Sequence, residues 1–172
     1  MSSDDQLALR TAPLEFDEVY RRHAADVYRF CVSQLGDPAA AEDLAADVFA
    51  AAFAAYRSTR PAPDELRPWL FRIARNGAID RFRRARTQRG LLGRLGQRPA
   101  EDEVEHLAEV RAELRAALDA IGRLGRRDRL LVGLRVGAGL RHAEVAAVMG
   151  MSEDAARMAT ARALRRIEEQ VR

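Results

Sequence analysis

The sequence predicts an all-α protein in which two small helical domains are joined by a flexible linker. Three observations lead to this fold class. Apolar residues recur every three or four positions along most of the 172-residue chain, which is the period of a helix with one buried face. Residues 87–100 break this period with three Gly and one Pro. Residues 140–171 have the spacing of a helix-turn-helix unit.

The first predicted domain covers residues 14–86 and follows a tail, residues 1–13, that has little periodicity. It contains three helices, and the third is predicted to continue to about Arg86. Asp37 provides an N-cap for the second helix, and Pro38 provides its first helical residue. The boundary between the first two helices is therefore the best defined in this half of the chain.

Residues 87–103 form the predicted linker, and the second domain covers residues 104–172. Its last two helices are separated by a tight turn at Gly150, where glycine tolerates a positive φ. Ala146 lies four residues earlier and is small enough to let the two helices approach closely. Ser152 is a good N-cap for the final helix. The same features occur in plain helical hairpins, so the spacing alone does not establish DNA binding.

The third helix organises the first domain. Over residues 69–84 it reads WLFRIARNGAIDRFRR, with a broad apolar arc opposite a narrow polar stripe. The stripe consists of Arg72, Asn76, Asp80 and Arg83. With Trp69 at its margin, this side is expected to present planar cations, an amide and an aromatic ring, which are groups that bind phosphates and unpaired bases. The alternative is an ordinary amphipathic helix with a solvated, Arg-rich face.

Charge alternates along the chain. All 29 basic residues are Arg, which a GC-rich coding bias explains at least as well as phosphate binding does. Residues 57–98 carry 12 Arg against 3 acids, and residues 120–172 carry 11 against 6. Residues 1–56 and 99–119 are acidic, with net charges of −6 and −5. Two basic blocks indicate two contacts with a polyanion, and segregation of charge for solubility is the alternative.

Several functional classes lack their sequence signatures. The single cysteine, Cys31, excludes an internal disulfide, argues against a zinc site and is predicted to be a small core residue. No apolar run reaches the roughly 18 residues of a membrane span, and no signal peptide begins the chain. We therefore expect a cytoplasmic protein without membrane insertion. Neither a GxxxxGK[ST] loop nor an HExxH motif is present, so we expect no enzymatic activity and no cofactor.

Three segments together resemble the extracytoplasmic-function (ECF) sigma factors, the smallest two-domain sigma subunits of bacterial RNA polymerase. They are AEDLAADVF at 41–49, WLFRIARNGAIDRFRR at 69–84 and ARALRRI at 161–167. The resemblance covers about residues 14–171. It implies a region 2-like bundle followed by a region 4-like helix-turn-helix domain. It also implies a promoter-specificity subunit that binds core polymerase and recognises and melts −10 and −35 promoter DNA.

The resemblance also assigns roles to individual residues. The positions that match core polymerase-binding residues are Asp43, Asp47 and Phe49. The positions that match the −10 element-binding surface are Arg72, Arg75, Asn76, Asp80, Arg83 and Arg84. The −35 element-binding surface of the final helix would comprise Ser152, Arg157, Arg162, Arg165 and Arg166. The loop at about 57–68 corresponds to the segment that captures a flipped −10 base, and flipping costs a few kcal/mol.

The chain departs from the family's pattern in two places. Ala46 stands where the family usually has Gln, so one polar contact with polymerase is expected to be missing. In the final helix, the family often has polar, basic or larger apolar residues at six positions. At these positions this chain has Ala155, Ala156, Met158, Ala159, Thr160 and Ala161. Glycines at 133, 137 and 139 are each expected to weaken a helix. We therefore expect a less rigid second domain that reads −35 bases less directly and depends on Arg–phosphate contacts and DNA shape.

Two other functions remain open. A stand-alone helix-turn-helix regulator would need only the second half of the chain, which leaves the first 86 residues unexplained. A helical adaptor that binds protein and not DNA would fit the weakened final helix. In the ECF family an anti-sigma protein commonly holds the sigma factor inactive. Because almost nothing follows the final helix, we expect any such anti-sigma factor to be a separate protein.

Overall fold

The computed structural model describes residues 15–91 and 105–171, and these two ranges form helices without strands. The helices are α1 (Phe16–Leu35), α2 (Pro38–Thr59), α3 (Leu66–Leu91), α4 (Glu105–Arg123), α5 (Arg126–Val132), α6 (His142–Met149) and α7 (Glu153–Val171). A π-helical turn, Gly133–Gly137, continues α5. The predicted tail and residues 92–103 of the predicted linker lie outside the described residues.

The helix ends follow local sequence signals. Gly36 ends α1 at a φ of 70°, and the Asp37 carboxylate accepts a 2.9 Å hydrogen bond from the backbone N–H of Ala40. Pro38 is the first residue of α2, as predicted. The predicted end of α3 near Arg86 is wrong, because the helix continues to Leu91. No proline stops it there, and a single glycine costs a helix only about 1 kcal/mol.

Helices α1, α2 and α3 pack around a core of aliphatic and aromatic side chains. Phe30 of α1 and Phe71 of α3 are fully buried and meet edge to face, with ring centroids 5.9 Å apart. Gly77 lets α3 lie close to α2, since a Cβ atom there would stand 2.9 Å from Cδ1 of Leu44. This packing fixes which side of α3 faces the core and which faces solvent.

Helices α6 and α7 form the predicted helix-turn-helix unit. Gly150 ends α6 with a φ of 67°, and the Ser152 hydroxyl accepts a 3.2 Å hydrogen bond from the backbone N–H of Ala155. Gly139 also has a φ of 67°, so it serves a turn and does not weaken a helix. These observations confirm the predicted turn and N-cap.

The buried face of α7 is made of small residues. Ala156, Ala159, Thr160 and Ala163 are all at least 92% buried. Ala159 is therefore a packing residue and does not replace a group that could contact DNA, contrary to the sequence-based expectation. Small side chains let α7 lie close to its neighbours, so their presence does not by itself indicate a loose domain.

Replacing Thr160 with valine is expected to stabilise the protein. The Thr160 side chain is 2% exposed, and its hydroxyl has no hydrogen-bond partner among the described residues. Valine keeps the shape and removes the cost of an unpaired hydroxyl, about 1–2 kcal/mol. Urea unfolding monitored by circular dichroism measures the change, with the exposed neighbour Ala161→Val as the control. A loss of stability would mean that the hydroxyl has a partner in solution.

The two predicted domains share one apolar core. Buried residues of the first half and buried residues of α5, α6 and the π-helical turn belong to a single cluster, which includes Phe30, Leu70, Leu131, Leu134 and Val145. A separate small cluster of Leu124, Val132 and Ala163 lies within the second half. The second half therefore has apolar contacts of its own besides those with the first. None of the described helices is long and apolar enough to cross a lipid bilayer.

Candidate nucleic-acid and polymerase interfaces

Helix α3 presents the predicted polar face. Its apolar side is fully buried at Leu70, Phe71, Ala74 and Ala78. On the opposite side Arg72, Asn76, Arg83 and Arg84 are exposed, and Arg75 and Asp80 are partly exposed. The two-sided character predicted for this helix is confirmed. The structure thus brings together all six residues that the resemblance assigns to the −10 element.

Trp69 does not belong to this exposed face. The side chain is 9% exposed, and its ring packs against Tyr56 with centroids 6.1 Å apart. The expectation that α3 presents an aromatic ring beside its cations is therefore wrong for Trp69. The helical period predicts that Trp69 lies at the margin of the polar stripe of α3. Whether solvent reaches that margin depends on the neighbouring helix, and here Tyr56 of α2 packs on it.

Charge on the α3 face is only partly compensated. Arg83 forms a 3.2 Å ion pair with Asp80, and Arg75 contacts the Asn76 side-chain oxygen at 3.5 Å. Arg72 and Arg84 form no ion pair with any residue that the structure describes. These guanidinium groups are available to bind a phosphate or stack on a base.

An acidic surface lies at the start of α2, where Glu42, Asp43 and Asp47 are exposed. Asp47 forms a 2.6 Å ion pair with Arg81 of α3, so α2 and α3 are joined at this surface. Ala46 is also exposed and leaves the middle of the surface without a polar group. The acidic surface therefore offers carboxylates to a basic partner from a rigid helix pair.

Phe49 differs from the other two residues assigned to polymerase. Only 8% of it is exposed, and its ring packs on Tyr20 with centroids 4.8 Å apart. Its main contacts are thus within the α1–α2 pair. The Phe49 ring therefore has little exposed surface of its own.

Helix α7 presents a basic surface with an apolar strip. Arg162 and Arg165 are exposed and form no ion pair within the described ranges, whereas Arg157 pairs with Glu153 at 3.4 Å and Arg166 pairs with Asp128. Met158 is 62% exposed. It lies one turn from Ala155 and Ala161, which are also exposed. Among the arginines of this helix, Arg162 and Arg165 are therefore the two whose charge is not compensated by a described carboxylate.

Nucleophilic chemistry is not favoured at Cys31. Its side chain is fully buried, which raises the pKa of the thiol to about 12. The pKa of His23 is lowered, mainly because the imidazole is partly buried and secondly because of the positive charge of Arg67. Among the described residues no group of His, Cys, Asp or Glu is arranged to hold a metal ion. The prediction of Cys31 as a small core residue is confirmed.

Sequence reasoning missed a set of residues that join the two halves. Arg67 of α3, Arg29 and Gln34 of α1 and Arg129 of α5 all form hydrogen bonds across the halves. Two signals were available: a polar Ser33-Gln34 pair in an otherwise apolar helical stretch, and glycines spaced four apart at 133 and 137. Neither signal alone identifies its partner.

Comparison with known families gives two matches along the chain. The sigma-70 region 2 family model matches residues 19–88, and the sigma-70 region 4 model matches residues 114–167. The first match contains the acidic surface of α2 and most of α3. The second contains α6, most of α7 and all of the exposed cations on α7 named above.

Curated relatives are ECF RNA polymerase sigma factors. SigF of Caulobacter vibrioides is 34% identical over 140 residues, which is 80% of this chain and 74% of SigF. BldN of Streptomyces coelicolor is 33% identical over 157 residues, which is 87% of this chain and 58% of BldN. The chain thus spans just over half the length of BldN and about three quarters of SigF.

Two solved structures share the arrangement of helices. CnrH, in complex with the cytosolic domain of CnrY, matches with a TM-score of 0.67 and 25% identity over 91% of this chain and 86% of CnrH. The sigma factor RpoE of Bartonella quintana, in complex with the anti-sigma factor NepR, matches with a TM-score of 0.71 and 21% identity. That match covers 91% of this chain and 96% of RpoE, and it shows the fold alone.

Proposed function

Because the chain belongs to the ECF family of RNA polymerase sigma factors, we propose that it is a promoter-specificity subunit of bacterial RNA polymerase. In this proposal α2 binds core enzyme, α3 recognises and melts the −10 element, and α6 with α7 binds the −35 element. The observation that supports it best is the exposed Arg and Asn face of α3 on a fully buried apolar base.

The α3 face suits single-stranded DNA better than a closed duplex. Arg72 and Arg84 offer guanidinium planes for phosphates and for stacking on bases, and the Asn76 amide can hydrogen-bond a base edge. A rigid helix holds these groups in place before DNA arrives, so little conformational freedom is lost on binding. Melting is then driven by binding the separated strand, with no covalent step.

The helix-turn-helix unit would contribute mainly phosphate contacts. Arg162 and Arg165 are free of ion pairs among the described residues, while the exposed groups between them and the N-terminus of α7 include Ala155 and Met158. Such apolar groups can contact a thymine methyl but cannot hydrogen-bond a base. We therefore infer that sequence discrimination at the −35 element is modest.

Changes of single −35 base pairs are expected to alter promoter affinity by less than about tenfold. The Arg162→Ala and Arg165→Ala double variant is expected to lower the slope of log affinity against log salt by about 2. Binding of the polymerase complex to labelled promoter fragments at several salt concentrations tests both points. A −35 footprint abolished by one base change would contradict this assignment.

In vitro transcription tests the proposed function directly. Purified chain and bacterial core polymerase are combined on a pool of promoter fragments from the source genome. Start sites that appear only when both proteins are present support a sigma factor. Tight duplex binding by the chain alone, with no core binding, would indicate a stand-alone helix-turn-helix regulator. If the chain binds core polymerase or another protein but shows no salt-dependent binding to DNA, it would be an adaptor.

A separate anti-sigma factor is the expected regulator, and the proposed site of action is the cytoplasm. The proposal is supported by two proteins of the same fold that were solved in complex with a separate protein: CnrH with the cytosolic domain of CnrY, and RpoE with the anti-sigma factor NepR. Co-purification from the source organism, with quantitative mass spectrometry, would identify such a partner. A chain recovered only with core polymerase subunits would contradict it.

A further inference from the structure

Arg81 of α3 contacts the acidic surface of α2. Its guanidinium donates to the Asp47 carboxylate at 2.6 Å and, more weakly, to the carbonyl oxygen of Ala40 at 3.4 Å. The side chain of Arg81 is 27% exposed, whereas that of Asp47 is 74% exposed. A carboxylate that the proposed function gives to core polymerase is therefore already paired with a cation of the DNA-facing helix.

The packing of α2 on α3 does not depend on this ion pair. Ala41 and Leu44 of α2 are buried, and Gly77, one turn before Arg81, brings α3 close against Leu44. Burial of such apolar side chains stabilises a helix pair more than an exposed ion pair does, because water screens the attraction between exposed charges. Arg81 can therefore leave Asp47 while the two helices stay packed.

Arg81 also lies next to the polar face of α3. Arg84 follows three residues later, which places the two side chains beside each other on the helix surface. Arg84 is exposed and forms no ion pair within the described part of the chain. A phosphate bound by Arg84 would lie on the solvent side of α3, whereas Asp47 belongs to α2. The long side chain of Arg81 can thus turn to one anion or to the other.

We propose that Arg81 couples binding of core polymerase to binding of promoter DNA by exchanging Asp47 for a DNA phosphate. This inference rests on the proposed function. In the free chain Arg81 compensates the charge of Asp47. In the promoter complex a basic group of polymerase pairs with Asp47, and Arg81 turns to the phosphate beside Arg84. Polymerase releases the arginine for DNA, and DNA releases the carboxylate for polymerase.

The size of this coupling follows from the strength of the pair that is broken. An exposed ion pair of this kind changes an equilibrium by about two- to fivefold. Thermodynamic linkage requires promoter DNA to strengthen polymerase binding by the same factor by which polymerase strengthens DNA binding. The exchange of Arg81 is therefore expected to add about two- to fivefold to each affinity, on top of all other contacts.

Arg81→Gln tests the exchange without DNA. Fluorescence anisotropy of the labelled full chain titrated with core polymerase is expected to show binding about two- to fivefold tighter than that of the parent, because Asp47 is no longer compensated. Arg22→Gln is the matched control, since Arg22 forms an ion pair of the same 2.6 Å length with Glu18 on α1. This control should bind like the parent. Unchanged or weaker binding by Arg81→Gln would overturn the exchange.

A double-mutant cycle separates the ion pair from net charge. Asp47→Asn keeps the shape of the side chain and removes its charge, so in this background Arg81→Gln should leave the affinity for core polymerase unchanged. An equal gain in both backgrounds would assign the effect to net charge and overturn the exchange. Circular dichroism and urea unfolding check that every variant is folded, which the apolar contacts of α2 with α3 lead us to expect.

Promoter binding tests the other half of the exchange. The complex of chain and core polymerase is bound to a promoter fragment obtained by the in vitro transcription described above. Arg81→Gln should lower the slope of log affinity against log salt by about 1, whereas Arg22→Gln and Asp47→Asn should keep the full slope. An unchanged slope with Arg81→Gln would overturn the phosphate contact. A parent chain that does not bind core polymerase would instead contradict the proposed function.

Discussion

Replacing Arg72 and Asn76 together with alanine is expected to abolish promoter opening while leaving the fold intact. Both side chains are exposed and make no core contact, so stability should change by less than about 0.5 kcal/mol. Each lost base or phosphate contact costs about 1–3 kcal/mol, so the pair should lower transcription by about 100-fold or more. In vitro transcription and permanganate footprinting of unpaired thymines measure the loss.

Arg21→Ala is the matched control for this variant. Arg21 lies on α1, its side chain is 71% exposed, and it forms an ion pair with Glu18, so the variant removes a surface cation from a different helix. It should transcribe normally. The double variant should still bind core polymerase, which would locate the defect at the DNA step. Normal open complexes formed by the double variant would reject the assignment of the α3 face to the −10 element.

Reversing charge at Asp43 and Asp47 is expected to prevent binding to core polymerase. Both carboxylates are exposed on α2, and an arginine at position 47 would also face Arg81 in place of the present 2.6 Å ion pair. Placing like charges across an interface costs several kcal/mol, so Asp43→Arg with Asp47→Arg should weaken core binding by about 100-fold or more. Fluorescence anisotropy of labelled chain titrated with core enzyme measures the affinity.

Glu168→Arg with Glu169→Arg makes the same change in net charge at a different place. These residues are exposed near the C-terminal end of α7, where added cations suit the helix dipole. This control should bind core polymerase normally. If both double variants lose core binding equally, net charge and not the acidic surface of α2 would be the cause.

Local signals were sufficient for the boundary between α1 and α2, for the start of α7 and for most of the buried side of α3, but not for the end of α3. Asp37, Pro38 and Ser152 act through hydrogen bonds or backbone angles within three residues, so sequence alone predicts their roles. The buried side of α3 follows from its period. The individual roles of residues such as Arg84 came from the family resemblance and not from these local patterns.

Long-range packing could not be predicted in the same way. Periodicity indicates that one side of a helix is covered but not by which element, which is why Trp69 was placed wrongly. The sequence predicts that Gly133 and Gly137 weaken a helix, whereas in the structure both lie against Ser33 of α1. The partner lies 100 residues away in sequence, and only the folded chain shows it.

The close packing of Gly133 against Ser33 and Gln34 limits which relatives can supply a second half that fits the first half of this chain. A chimera that joins residues 15–91 of this chain to the second half of a relative keeps Gln34 but can bring a bulkier residue in place of Gly133. Such a hybrid would hold its halves together differently even if every DNA-contacting residue were preserved. Engineers who recombine promoter specificities should therefore move positions 33, 34, 133 and 137 as one group.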